Sequence, residues 1–220
     1  MASDRSAGGA PGRAVCVACA AVVGTTGAGI MFKVGDRHHG SLGSSDETAG
    51  LVEELQFTLG EGPCIDAYDT GRPVAEPDLA NPTRLRWPAF SGPVVAVGVR
   101  AVFAFPLQLG AIHLGALDLH CDHAGALRLD QHNDALTVAR VVTHALLDVQ
   151  AAVPAGGLAP EFADAEILRV EVHQASGMLA AHLDISVADA LVRLRAWAYA
   201  EGRPVRDVAR DVITKRLRLE

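Results

Sequence analysis

LGEGPCIDAYDTGRPV, residues Leu59 to Val74, contains two punctuation pairs, Gly62–Pro63 and Thr70–Gly71, around a short segment that can only form one or two turns of helix. Upstream, Asp46–Leu59 carries Leu51, Leu55 and Leu59 at i, i+4 and i+8, with Asp46 as an N-cap and Gly60 as a stop. That pattern predicts an amphipathic helix whose polar face holds Glu47, Glu53 and Glu54. Further upstream, Ala14–Val23 has helical potential, and Ile30–Val34 and His39–Ser44 read as two short strands around a turn at Gly35–Asp36. Downstream, Val74–Pro77 leads into a Pro- and Asn-rich loop and Trp87–Val97 reads as a helix. Val99–Leu109 and Ala111–His120 form an apolar pair separated by Gly110, and Leu129–Gln150 is a long helix. Helix, hairpin, helix, strand, helix, hairpin and long helix make an α+β pattern around an antiparallel sheet.

The segment Ala151–Ala163 is small, Pro- and Gly-bearing, and interrupts periodicity, so it reads as a linker or helix break. Beyond it the pattern changes to three helices, Ala165–Leu183, Val187–Glu201 and Val205–Leu217. Ser186 with Asp189 has the form of a capping box, and Gly202 and Pro204 separate the last two helices. The expected organisation is a disordered N-terminus at 1–12, one domain at 13–150, a connection at 151–163, and a small all-α domain at 164–220. A chain of 220 residues accommodates two domains.

Composition narrows the function classes. Half the residues are apolar and a fifth charged, as in a globular chain, and 19 Lys and Arg against 26 Asp and Glu give a net charge of −7. That balance argues against a surface coated throughout by nucleic acid or membrane, but not against a local basic face. The first dozen residues carry no apolar export segment, and Val94–Leu109, the most apolar run, is broken by Arg100 and Pro106. A cytoplasmic protein with no membrane partner is expected. The four cysteines, Cys16, Cys19, Cys64 and Cys121, are then expected to be reduced.

Candidate chemistry is sparse. Cys16 and Cys19 form a C-x-x-C without the second pair that a zinc site needs, so both read as small buried residues, and no metal is expected. His38, His39 and His113 could line a cavity or hold a haem, but satisfied polar groups near strands are the simpler role, and no cofactor is expected. His113 and Asp118 are five apart in a strand, on opposite faces unless a bulge intervenes. The P-loop, nucleophile-elbow and H-E-x-x-H patterns are missing from the sequence, so no catalytic residue is assigned.

On the last helix Arg206, Arg210, Thr214 and Arg218 recur every four residues, which places three guanidinium groups on one face. From Arg203 to Glu220 six basic residues stand against three acidic ones in an otherwise acidic chain. Such a stripe is either a solvated face or a phosphate-binding one. On the preceding helix Arg193 and Arg195 neighbour Trp197 and Tyr199; core anchoring is the expected role of Trp197, and Tyr199 is the stacking candidate.

Two resemblances weight these readings. LGEGPCIDAYDTGRPV, RWPAF at Arg86–Phe90 and GVRAVFAFPLQLGAIHLGALDLH at Gly98–His120 resemble the GAF domains of actinobacterial regulators, over about residues 13–150. The resemblance implies a sensor built around a cavity on one sheet face. Cys64 would stand at its wall as a candidate redox-responsive thiol, and Phe103, Phe105, His113 and Asp118 are further candidates for its lining. VHQASGMLAAHLDISVADALVRLRAWAYAEGRPVRDVARDVI, Val172–Ile213, resembles the ANTAR domain, an RNA-binding three-helix module of antitermination regulators. Its carriers include Ala175, Gly177, Met178 and Leu179, then Ala190, Leu194, Arg195 and Ala198, then Arg203, Val205, Val208 and Ala209. Many members have Lys where this chain has Ser176, and often a Met where Ala180 stands.

Together the resemblances imply a homodimeric regulator that stabilises paired hairpins in nascent RNA at the expense of a terminator, gated by a small molecule or a redox signal. RNA contacts would fall on Ala175, Ser176, Gly177, Arg193, Arg195, Tyr199, Arg203, Arg206, Arg210 and Arg218. Gly177 costs about 1 kcal/mol relative to Ala inside a helix, which suggests close approach of a helix or a phosphate backbone there. Two other classes remain open. Some GAF domains reduce free methionine sulfoxide through a cysteine, for which Cys64 would be the candidate, and the helical module could instead be a protein-docking or dimerisation unit.

Overall fold

The computed structural model describes the backbone at residues 10–34, 38–152 and 160–217, and side chains at these positions other than 10, 33–39 and 160–170. The first unit, Met1–Ala165, contains α1 (Ala10–Val23), β1 (Gly27–Val34), β2 (His38–Ser44), α2 (Glu47–Leu59), α3 (Pro63–Thr70), β3 (Val74–Glu76), α4 (Pro88–Ala96), β4 (Ala101–Leu109), β5 (Ile112–Cys121) and α5 (Leu129–Ala151). The second unit, Glu166–Glu220, holds most of α6 (Pro160–Leu183), then α7 (Val187–Ala200) and α8 (Val205–Ile213). The expected disorder at 1–12 falls outside the described residues at 1–9, and α1 already begins at Ala10. The helical start at Pro160 lies inside the expected connection, since proline is well accommodated in a first helical turn.

The five strands form one antiparallel sheet in the order β2-β1-β5-β4-β3. Alternation along the strands sorts two cores. Ala28, Ile30, Phe32, Phe103, Phe105, Leu107, Leu117 and Leu119 pack with Cys16, Cys19 and Val23 of α1 and Ala135, Ala139, Val142 and Leu146 of α5. Met31, Val102, Ala104 and Ala116 face the other way, against Val52 of α2, Cys64 and Ala67 of α3, and Phe90 and Val94 of α4. Phe103 and Phe105 therefore lie on the opposite face of the sheet from Cys64 and Asp118. Their expected place in one cavity with those residues is incorrect, because odd positions of β4 point to the α1/α5 layer.

A bulge changes the reading of β5. Leu107 pairs with Gly115 but Gln108 pairs with His113, so Leu114 is the extra residue and packs toward the α1/α5 core. His113 is thereby returned to the face that carries Asp118. Its Nδ1 lies 2.7 Å from the Tyr68 carbonyl of α3, and its ring meets the Tyr68 ring edge-on.

Helix ends follow their local chemistry. Asp46 caps α2, accepting from the Ala49 N–H at 2.9 Å, and Gly60 ends it in the left-handed region at φ 69°. The buried face of α2 is not the Leu51/Leu55/Leu59 line. Leu51 is 49% exposed, while Val52, Glu53, Gln56 and Phe57 are buried. Periodicity selected the apolar stripe, but the sheet beneath offers polar partners and glycine-sized space, so a glutamate and a glutamine turn inward.

In the second unit Val172, Ala175 and Leu179 of α6, Ala190, Leu194 and Ala198 of α7, and Val205, Val208, Ala209 and Val212 of α8 are buried. The Ser186 hydroxyl accepts from the Asp189 N–H at 3.0 Å and caps α7 as the sequence suggests. The last helix stops at Ile213, short of the expected Leu217, with Lys215 at φ 58° and the Arg216 and Leu217 amides donating to the Asp211 carbonyl. The stripe therefore ends at Arg210: Thr214 is the C-cap, and Arg218 lies outside the described residues.

Candidate functional site

On the α2/α3 side of the sheet, polar side chains form a buried row. Gly27 and Gly29 of β1 leave the space for it. A Cβ at Gly29 would lie 2.6 Å from the Glu53 carboxylate, and one at Gly27 would collide with His120 and Asp46. Glu53 also accepts from the Ser41 hydroxyl. Gln56 bridges two elements, its Nε2 donating to Asp118 at 2.6 Å and its Oε1 accepting from the Cys64 N–H at 2.7 Å.

Burial dominates the electrostatics here. Desolvation pushes the Asp118 carboxyl up to about 7, against the opposing hydrogen bonds from Gln56 and Cys64. The Cys64 thiol is pushed well up by burial and then by the neighbouring Asp118 and Glu53. A fully buried thiol between two acids is held in the protonated form, the opposite of what a nucleophile or a redox sensor requires. Cys16, Cys19 and Cys121 are likewise buried and free; burial raises Cys19 to about 11, and the Cys16 thiol donates to the Gly43 carbonyl at 3.1 Å. Among the described residues no cluster of three or more His, Cys, Asp or Glu could hold a metal.

Open space lies at the end of this row. A cleft of about 550 Å³ is bounded by Thr26, Asp46, Glu47, Thr48, Val97–Val99, His120 and Asp122. His120, only 3% exposed, lines it and makes no hydrogen bond among the described residues. Burial holds its imidazole below the ordinary value although Asp46 and Asp122 pull the other way. The sequence pattern placed Glu53 on the polar face of α2, whereas it is buried, and it assigned no site role to His120 or Gln56. The usable signal was the pair Gly27 and Gly29, two residues apart on one strand face, which marks room for side chains from elsewhere.

The helical unit sorts its ten expected contact residues unevenly. Ala175 and Ser176 are fully buried, and the Ser176 hydroxyl donates to the Val172 carbonyl at 2.8 Å, so both side chains belong to the interior of the module. Gly177 is exposed, and a Cβ there would meet nothing within 4 Å. Close approach of another helix of this chain is thus not the reason for the glycine. Arg193 and Tyr199 are exposed on α7, and Trp197 is 39% exposed, so it does not anchor the core as expected. Leu194 and Ala198 fill that role. Arg195 is largely buried, and desolvation lowers its guanidinium.

Several guanidinium groups are engaged within the module. Arg203 donates to Asp211 at 2.6 Å, Arg210 makes a two-pronged contact with Glu171 at 3.2 and 3.0 Å, and Arg206 lies 3.8 Å from Asp207. Exposure keeps these pairs exchangeable: Arg210 can trade Glu171 for a phosphate at small net cost.

A three-helix unit with Gly177, Arg193, Tyr199, Arg206 and Arg210 at its surface can be compared with known modules. Residues 168–213 match the ANTAR domain family. No curated protein sequence matches the chain. Solved structures similar to the chain include a two-component sensor histidine kinase domain from Sinorhizobium meliloti, at 18% identity over 63% of this chain and 90% of that one, TM-score 0.49. Another is a GAF domain of a phosphoenolpyruvate-protein phosphotransferase from Coxiella burnetii, at 14% identity over 64% and 83%, TM-score 0.45. A third is a free methionine-R-sulfoxide reductase from Neisseria meningitidis, at 16% identity over 66% and 80%, TM-score 0.46. The first unit is a five-stranded antiparallel sheet with helices on both faces, and the ANTAR match falls on α6, α7 and α8 of the second. Among the described residues no single helix is long and apolar enough to cross a membrane.

Proposed function

We propose that this chain is an RNA-binding regulator whose ANTAR domain stabilises paired hairpins in nascent transcripts and so prevents termination, under control of a small ligand at the GAF-like domain. ANTAR domains bind RNA and GAF domains sense small ligands. The observation that carries the reading is the ANTAR match over 168–213, on a module that exposes Arg193, Tyr199 and Arg210, with Arg206 half-buried beside them. An exposed aromatic ring beside guanidinium groups is the chemistry that splayed bases and phosphates require. Two such modules in a homodimer would each take one hairpin. The buried, protonated Cys64 favours a ligand signal over a redox one and opposes a reductase reading.

The test is binding of the full chain to an RNA with two adjacent short hairpins, against a scrambled control, over a salt series. Preference of about tenfold or more, with affinity falling as salt rises in the manner of phosphate contacts, supports the reading. Equal binding of both RNAs, or none with any candidate ligand present, would move the module to protein docking.

A further inference from the structure

The cleft beside His120 carries an inference about the signal. Its lining presents three carboxylates, Asp46, Glu47 and Asp122, two threonines and the His120 imidazole, with no lysine or arginine among them. Asp46 is occupied by its own helix, accepting from the Ala49 N–H and the Ser45 hydroxyl. Asp122 uses Oδ1 for the Thr26 hydroxyl and His123. Glu47 makes no hydrogen bond among the described residues, which leaves its carboxylate, Asp122 Oδ2 and the buried imidazole for an occupant. The His120 side chain is buried yet makes no hydrogen bond to a described residue, so the polar edge of its ring is left to whatever fills the cleft, water or a ligand.

The positive end of α2 opens toward this cleft and would otherwise attract an anion, but Asp46 and Glu47 already supply negative charge there. A metal ion is a poor fit, because the acids do not converge into a set of three ligands. The volume, about 550 Å³, is that of a small-molecule site, and Val97, Gly98 and Val99 add an apolar wall.

We infer that this cleft binds a small organic cation, an ammonium or guanidinium group on a short hydrocarbon stem. The charged head pairs with Glu47 and Asp122, His120 accepts a hydrogen bond, and the stem lies along Val97 and Val99. This deepens the sensing half of the proposed function and rests on that half alone.

The probe is agmatine, titrated into the full-length ¹⁵N-labelled chain, with uncharged n-butylurea and Mg²⁺ as separate arms. The expected result is saturable shifts at Thr26, Thr48, Val97–Val99 and His120 with agmatine only, weakened about tenfold or more in Glu47→Gln combined with Asp122→Asn. The spectrum of the double variant reports its fold, and His120→Gln gives a second, independent loss. Non-saturable or scattered shifts, equal response to n-butylurea, or unchanged affinity in a folded variant overturns the inference. Saturation of the same residues by Mg²⁺ overturns it in favour of an inorganic cation. Because the readout is binding at the cleft, failure here leaves hairpin recognition standing, and failure of hairpin recognition leaves agmatine binding to be judged by itself.

Discussion

At the scale of single residues, Asp118 is the most consequential group in the first unit. Its carboxyl is raised to about 7 by burial, so the folded chain holds a proton there that an unfolded chain releases near pH 4. Between those values the folded state binds more protons, and stability therefore falls as pH rises through about 4 to 7. Asp118→Asn removes the titration while keeping an oxygen for Gln56. Relative to the parent it is expected to be little changed at pH 4 and more stable at pH 8, by on the order of 4 kcal/mol. Urea unfolding followed by Trp87 fluorescence in a Trp197→Phe background checks this; equal pH slopes in the two proteins would refute it. On the helical unit, Arg206→Ala with Arg210→Ala is expected to weaken hairpin binding while shifting that unit's stability by no more than about 1 kcal/mol, since exposed ion pairs contribute little. A larger loss of stability would mean that these side chains hold the module together.

At the scale of elements, two glycines make opposite predictions. Gly115 lies against β1 so closely that a Cβ would collide with the Met31 carbonyl, a backbone atom that cannot swing away. Gly115→Ala is expected to abolish folding of the sheet, seen as loss of the buried Trp87 emission. Gly177 is exposed in α6 with open space around it, so Gly177→Ala should raise the stability of the helical unit by about 0.5–1 kcal/mol. Hairpin affinity is expected to fall in the same variant, because the freed surface is what a phosphate backbone would approach; an unchanged affinity would remove Gly177 from the interface. The same scale shows where sequence patterning misleads. Asp46 and Gly60 bounded α2 correctly, but its inward face was chosen by the sheet and not by its leucines. The bulge at Leu114 likewise moved His113 to the Asp118 face, against the alternation of its own strand.

At the scale of the molecule, each unit has its own core and its own tryptophan, Trp87 in the first and Trp197 in the second. Hairpin RNA at a hundredfold excess over its Kd should stabilise the helical unit by about 2.7 kcal/mol, read through Trp197. A parallel shift in the Trp87 transition would measure coupling between the two units, and no shift would show them to be energetically separate under those conditions. The sequence by itself determined most of the element order, most helix stops and the family resemblance of the helical unit, because capping residues, glycines and periodicity act over a few neighbouring positions. Only the tertiary structure decided that Phe103 and Phe105 face away from Cys64, that Glu53 and Gln56 turn inward, that Trp197 stays at the surface while Ser176 is buried, and that open space gathers beside His120. Those outcomes depend on which surface each side chain meets across the sheet or between helices, and such meetings are set by residues distant in sequence.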